Sequence, residues 1–156
     1  MISGYNFEKW KIKMSKVVAI FLALFAVSSM ALGNEVIIKR QEAMQVVRNA
    51  MKILGPMAKG GSEYDSFLAE TSLENMLEAM RPYKSYFPLG SETGSKTQAA
   101  SAIWETSDNF EKLVDDFVRD IELALSSDLE NAELFGENFE IISKNCRSCH
   151  MNYRSR

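Results

Sequence analysis

The chain of 156 residues has the length of one domain, which is enough to bury a sizeable core. Its formal net charge is −3, and this acidic balance argues against nucleic-acid binding, because that affinity depends on neutralisation of phosphates by Lys and Arg. A single histidine, His150, is present. If that residue serves as a metal ligand, no general base and no Ser/His/Asp set remains, so an enzyme is not expected.

Residues 1–31 have the pattern of a secretory signal. Lysines at positions 9 to 16 precede the unbroken apolar run Val17–Val27, and Ser29-Met30-Ala31 ends on small residues. The run is short for a membrane span, which needs about 20 residues, although an uncleaved anchor is the alternative. Cleavage would remove four lysines and one glutamate and leave 14 basic and 20 acidic side chains, a charge of −6. We therefore predict that residues 32–156 form an exported mature domain with no membrane segment, whose charge favours a positively charged docking partner.

The first half of the mature chain contains two predicted helices and a long loop. Helix one is predicted over residues 35–59, where one apolar seam recurs at helical spacing, and helix two over residues 65–80. The seam of helix one consists of Ile37, Met44, Val47, Met51, Leu54 and Ala58. Residues 82–96 are rich in proline, glycine and serine and are expected to form a loop. Its aromatic residues Tyr83, Tyr86 and Phe87 are expected to pack over something apolar.

The second half contains two longer predicted helices, over residues 97–126 and 129–153. In the last helix one apolar seam advances in steps of three and four residues, and both cysteines of the chain continue it. The seam consists of Phe135, Phe139, Ile142, Cys146, Cys149 and Tyr153. No segment alternates with a period of two over the length of a strand. The sequence therefore predicts an all-α fold, an antiparallel up-and-down four-helix bundle.

The last predicted helix carries the motif Cys146-Arg147-Ser148-Cys149-His150. Covalent haem attachment needs this spacing, because each thiol forms a thioether with a vinyl group and the adjacent imidazole ligates the iron. A redox disulfide is one alternative, although such a pair is expected near a βαβ pattern and at a helix N-terminus. A zinc site is another, but it would have to be completed by carboxylates. The motif therefore predicts one covalently bound haem c. With no second histidine, the opposite side of the iron is left to methionine, a weaker ligand or nothing.

With this motif closing a four-helix bundle, residues 35–156 resemble the cytochrome c′ family. The resemblance is carried by Arg40-Gln41, Ala102-Ile103-Trp104 and Cys146-x-x-Cys149-His150-x-x-Tyr153-Arg154. It implies that Cys146 and Cys149 hold the haem and that His150 is the proximal ligand. It also implies that Arg154 lies beside the proximal face and Arg40 near the haem edge, and that the haem is attached in the periplasm.

The position four residues after Arg40 faces the distal side of the iron in this family, and here it is Met44. Many members have leucine or another apolar residue there, which leaves the iron open to nitric oxide or carbon monoxide, whereas a low-spin branch has a methionine that binds the iron. Periodicity alone does not choose between Met44 and Met51, and a seam methionine is often core filler. The resemblance at Arg40-Gln41 selects Met44 as the axial ligand.

The leading hypothesis from the sequence is a periplasmic electron carrier with a His/Met-ligated haem, which exchanges electrons with redox partner proteins. The alternative is a five-coordinate cytochrome c′ that binds nitric oxide or carbon monoxide. A third reading is a helical interaction protein with a C-terminal disulfide and no haem. The resemblance also implies a homodimer formed through helices one and two.

Overall fold

The computed structural model describes residues 34–94 and 96–155, so the predicted signal at 1–31 lies outside the described residues. In this part of the chain, regular structure is entirely helical, and the predicted all-α bundle is confirmed. The helices are α1 (34–58), α2 (Ser66–Met80), a 3-10 helix (Tyr83–Tyr86), α3 (Ala102–Glu105), α4 (Ser107–Ser126) and α5 (Ala132–Tyr153). Within these residues no helix is long and apolar enough to cross a bilayer.

The sequence marks the helix ends with residues suited to each position. The Asp65 carboxylate accepts a hydrogen bond from the Leu68 amide (2.9 Å) and caps α2. The Asn131 side chain accepts from two amides of the first turn of α5, those of Glu133 (3.0 Å) and Leu134 (3.1 Å). At the end of α1, Gly60 adopts a φ of 68°, a left-handed conformation that glycine takes without steric cost.

The third predicted helix begins later than expected and is interrupted. The prediction placed its start at about residue 97, but α3 begins at Ala102 and a break at Thr106 separates it from α4. The reason is a competing pairing with the end of the chain. The Ala100 amide donates to the Tyr153 carbonyl (3.0 Å) and the Ser155 amide donates to the Gln98 carbonyl (2.9 Å), so residues 98–100 are extended.

The last helix also begins later than predicted, at Ala132 and not at about 129. Asp128 organises a turn before it, accepting the Glu130 amide on its carboxylate (3.1 Å) and the Asn131 amide on its carbonyl (3.2 Å). Because these bonds shape a turn, the cap of α5 falls on Asn131.

The core lies between the four long helices, and α4 packs against both α2 and α5. Each helix contributes fully buried apolar side chains, among them Leu54, Leu73, Ile121 and Phe135. α1 and α5 come close where the end of α1 meets the start of α5, since a Cβ at Gly136 would lie 3.5 Å from the Ala58 carbonyl oxygen. The other ends of these two helices, around residues 40–44 and 146–150, flank the cavity described next.

The loop after α2 packs on the core through its aromatic residues, as predicted. The Phe87 ring lies 4.7 Å from that of Phe110 and 5.2 Å from that of Tyr83, measured between ring centroids. The Trp104 indole donates to the Phe87 carbonyl oxygen (3.1 Å). The loop is thereby fixed against α3 and α4.

Candidate cofactor site

A cavity of about 530 Å³ lies between α1, α4 and α5, and residues 96–99 and the aromatic loop form part of its wall. Its size is in the range of small-molecule and cofactor sites. The wall is largely apolar, with Val47, Ile103, Phe110 and Phe117 among its residues. All six site residues proposed from the sequence contribute to this one wall: Arg40, Met44, Cys146, Cys149, His150 and Arg154.

The two cysteines and the histidine are placed by the last turns of α5. Because residues three and four apart share a helix face, Cys146, Cys149 and His150 are presented together at the cavity. Both cysteines are half-buried, and the Cys146 thiol donates to the Ile142 carbonyl oxygen (3.6 Å). Two thiols and an imidazole on one apolar wall are the groups that a covalently attached haem requires.

The thiols are unlike a reactive redox pair. Burial raises the pKa of Cys146, and burial, with a smaller contribution from Cys146, raises the pKa of Cys149 to about 11. Both residues lie toward the C-terminus of α5, where the helix dipole disfavours a thiolate, whereas reactive thiols have lowered pKa values. Among residues 34–94 and 96–155, no three His, Cys, Asp or Glu side chains converge as a metal site would need. Neither the disulfide nor the zinc alternative has structural support.

His150 lies beside Arg154, and both residues belong to the cavity and to an outer groove that adjoins it. Desolvation, followed by the positive charge of Arg154, lowers the pKa of His150. Neutral imidazole, the form that ligates metals, is favoured as a result. Arg154 leaves the helix, and its guanidinium donates to Oε1 of Gln98 from Nε (3.1 Å) and Nη2 (2.7 Å).

Arg40 is a buried cation in the cavity wall, with a side chain only 4% exposed. It donates from Nε to the Tyr86 carbonyl oxygen (2.5 Å), from Nη1 to the Ser91 carbonyl oxygen (3.1 Å) and from Nη2 to the Ser91 hydroxyl. Its guanidinium lies 4.2 Å from the Phe87 ring centroid and 5.4 Å from that of Trp104.

All the hydrogen-bond acceptors of Arg40 are neutral, and it forms no ion pair with the described residues. Burial lowers its pKa, which reflects the cost of holding a charge there. An anionic group of a ligand, such as a haem propionate, would offset that cost. The described wall therefore offers the groups that a haem would need, namely two thiols, an imidazole, an apolar surface and a fixed positive charge.

Three methionines line the cavity, Met44 and Met51 from α1 and Met80 from the end of α2. Met44 and Met51 are half-buried, and Met80 is buried. The structure places the sequence-selected Met44 in the wall with His150, together with the two other thioethers. Nothing in the sequence marks Met80 as a site residue, because it occupies the apolar stripe of its helix like any core residue.

Other wall residues carry no sequence signal that marks them as part of a site. Asn145, which donates to Asp120 (2.7 Å), looks like a surface residue of α5 in the sequence. The sequence predicts that residues 96–99 belong to the loop and the start of a helix, and only their pairing with the chain end brings them to the cavity. Tyr83 and Phe87 line the wall, in keeping with the expectation that the loop aromatics cover an apolar group.

Comparisons with known proteins agree with this description. The family model described as Cytochrome C' matches residues 35–154. A cytochrome c-556 of Agrobacterium tumefaciens (strain II Chrys) is 28% identical over 116 residues, which cover 74% of this chain and 93% of the relative.

Among solved structures, cytochrome c′ from Rhodopseudomonas palustris is similar with a TM-score of 0.73 and 26% identity, over 78% of this chain and 96% of that one. The nitric oxide complex of a mutant cytochrome c prime from Alcaligenes xylosoxidans is similar with a TM-score of 0.72 over 80% of this chain and 97% of that one. At 21% identity, that second likeness concerns the fold alone.

Proposed function

Because the chain belongs to the cytochrome c′ family, whose members bind one covalent haem c, we propose that it is a periplasmic electron carrier with axial ligands His150 and Met44. Cys146 and Cys149 hold the haem through thioethers in this proposal. The bound haem supplies a one-electron ferric/ferrous couple. The protein's own residues fix its position, exclude water and set its electrostatic surroundings.

One observation carries the proposal: α1 and α5 each bring a candidate axial donor to the same cavity, the Met44 thioether and the His150 imidazole. If both donors held the iron, they would leave it no free position for a gas molecule, and the protein would be suited to electron exchange. Methionine opposite histidine raises the reduction potential. The apolar wall also raises the potential, since it disfavours the more highly charged oxidised state. The buried positive charge of Arg40 raises it further, because it favours the added electron.

A second candidate function is gas binding by a five-coordinate haem. Met51 and Met80 support it, because they line the cavity although they are not expected to bind the iron. Met44 could in the same way be part of the apolar wall and not a ligand. A mutant of the Alcaligenes xylosoxidans protein, which shares this fold, forms a nitric oxide complex. In this alternative Met44 narrows the approach to the iron.

Optical spectra of the matured protein, in ferric and ferrous forms with and without carbon monoxide, distinguish the two. We expect a low-spin wild type with a sulfur-to-iron charge-transfer band, which Met44→Ala abolishes. Met51→Ala is the matched control, because it removes the same side chain from the same helix and the same cavity; it should keep the band. A high-spin wild type that binds carbon monoxide readily and changes little in Met44→Ala would contradict the proposal and support gas binding.

The signal-like segment and the haem chemistry support export, and the mature protein is proposed to exchange electrons with periplasmic redox partner proteins.

Homologues in this family are often dimeric. Three apolar side chains of α1 are exposed: Ile38 by 49%, Val46 by 36% and Ile53 by 37%. At about 3.6 residues per turn, their spacing places them within about a quarter of the helix circumference. This apolar strip, named here the α1 strip, is proposed as part of a homodimer interface.

A further inference from the structure

Basic residues surround the cavity of this acidic protein. Five cations line the cavity and the outer groove, and no Asp or Glu of the described residues joins them: Arg40, Arg48, Lys96, Arg147 and Arg154. The chain as a whole has a formal charge of −3. The positive charge is therefore concentrated where the haem is proposed to bind.

Four of these cations are exposed and form what we name the basic rim: Arg48, Lys96, Arg147 and Arg154. In the described part of the chain, none of the four belongs to an ion pair. Arg48 and Arg154 donate instead to the neutral side chains of Gln45 and Gln98. The rim thus keeps its charge available to a partner.

The two cations of α4, by contrast, are paired with carboxylates. On α4, Lys112 pairs with Asp116 (2.7 Å) and Arg119 pairs with both Asp116 (2.6 Å) and Asp120 (2.8 Å). α4 carries six acidic and two basic residues, and α2 carries three glutamates and no basic residue. Nine acidic residues thus lie on these two helices, which carry none of the four rim residues.

The electrostatic attraction between two proteins depends more on the charges near the docking position than on their net charges. At physiological ionic strength the Debye length is about 8 Å, so charges much farther than this from the docking position are largely screened. The net charge alone favours a positively charged partner, but the rim reverses that expectation for a partner that approaches the haem. Haem propionates reduce the positive excess without removing it, since five cations outnumber two carboxylates.

The outer groove has a further property of an interface. Met151, on its wall, is 76% exposed and offers an apolar contact among polar and basic neighbours. An apolar contact with a charged border is the usual anatomy of a transient protein interface.

We propose that the basic rim and the outer groove form the docking surface for an acidic redox protein, which exchanges electrons with the haem across this surface. The inference rests on the proposed electron-carrier function, but it does not depend on ligation by Met44.

The charge at the electron-exchange surface can be measured with a small anionic oxidant. One electron passes from the reduced protein to hexacyanoferrate(III), giving hexacyanoferrate(II) and the oxidised protein. We expect the rate constant to fall as ionic strength rises, which is the sign of attraction between opposite charges, although the protein is acidic overall. The double variant Lys96→Glu/Arg147→Glu should react about tenfold more slowly at low salt and lose or reverse this salt dependence. Lys112→Glu, which reverses one charge on α4, outside the rim, should retain it.

Binding gives a readout that does not involve electron transfer. In isothermal titration calorimetry at low salt, poly-L-glutamate should bind the wild type and Lys112→Glu, and binding should weaken at least about tenfold in the double variant. A hexacyanoferrate(III) rate that rises with salt in the wild type, or binding of poly-L-glutamate that the double variant leaves unchanged, would overturn the docking proposal. Neither result would alter the spectra that test Met44, so the two proposals fail separately.

Discussion

At the scale of single residues, Arg40 links the loop after α2 to the cavity. Its guanidinium bonds to Tyr86 and Ser91 across a large separation in sequence and lies against the aromatic rings of the loop. A buried charge needs good geometry and satisfied hydrogen bonds to be tolerated. The residue is therefore expected to hold this loop in place in addition to its proposed position at the haem edge.

Replacing Arg40 with methionine tests this structural role. Arg40→Met removes three hydrogen bonds and leaves the carbonyl oxygens of Tyr86 and Ser91 without this donor, each at a cost of about 1–3 kcal/mol. We expect the free energy of unfolding of the matured protein to fall by about 2–4 kcal/mol, measured by denaturant unfolding followed by helical circular dichroism. Arg48→Met removes an exposed arginine from the same helix and should change it by less than about 0.5 kcal/mol. Equal stability of the two variants would show that Arg40 does not anchor the loop.

At the scale of secondary-structure elements, the residues of α5 that stabilise the helix and those proposed to hold the haem lie at opposite ends of it. Its first turn is capped by Asn131, and Cys146 to His150 lie in its last turns. Between them, Phe135, Phe139 and Ile142 are buried in the core. A change at the first turn should thus affect the helix without changing the surroundings of the haem.

Substitution of the cap tests this separation. Asn131→Ala removes the acceptor of the Glu133 and Leu134 amides and should lower the free energy of unfolding by about 1 kcal/mol. Asn131→Asp keeps an acceptor at the same position, and its charge suits a helix N-terminus, so it should remain close to the wild type. The visible spectra of both variants should match that of the wild type. A shifted spectrum in Asn131→Ala would indicate that the two ends of α5 are coupled.

The sequence predicted most of the elements because their signals are local. The seam of the last helix and the haem motif are patterns over a few turns, and the structure places the motif on that helix beside the cavity. The start of the third helix was wrong because residues 98–100 bond to the chain end, a contact made between segments distant in sequence. The basic rim has the same origin, since Arg48, Lys96 and Arg147 come together only through the fold.

At the scale of the whole molecule, the proposed homodimer depends on the α1 strip. Ile53→Glu places a charge in this strip and should weaken association by about tenfold or more, which sedimentation velocity would detect as a shift from dimer to monomer. Leu123→Glu is the control, because Leu123 is 56% exposed on α4, outside the strip. A wild type that sediments as a monomer at micromolar concentration, or a dimer that Ile53→Glu leaves intact, would exclude this interface.

The position of Trp104 has a consequence for following maturation of the protein. The indole bonds to the loop at Phe87 and lies near Arg40, and both of these residues line the cavity. The chain has two tryptophans, and the other, Trp10, belongs to the proposed signal. If the proposed signal is removed, Trp104 is therefore the one tryptophan of the exported chain, and it lies beside the proposed haem cavity. Haem absorbs where tryptophan emits, so energy transfer should quench Trp104 in the folded holoprotein, and its fluorescence should return when the bundle unfolds.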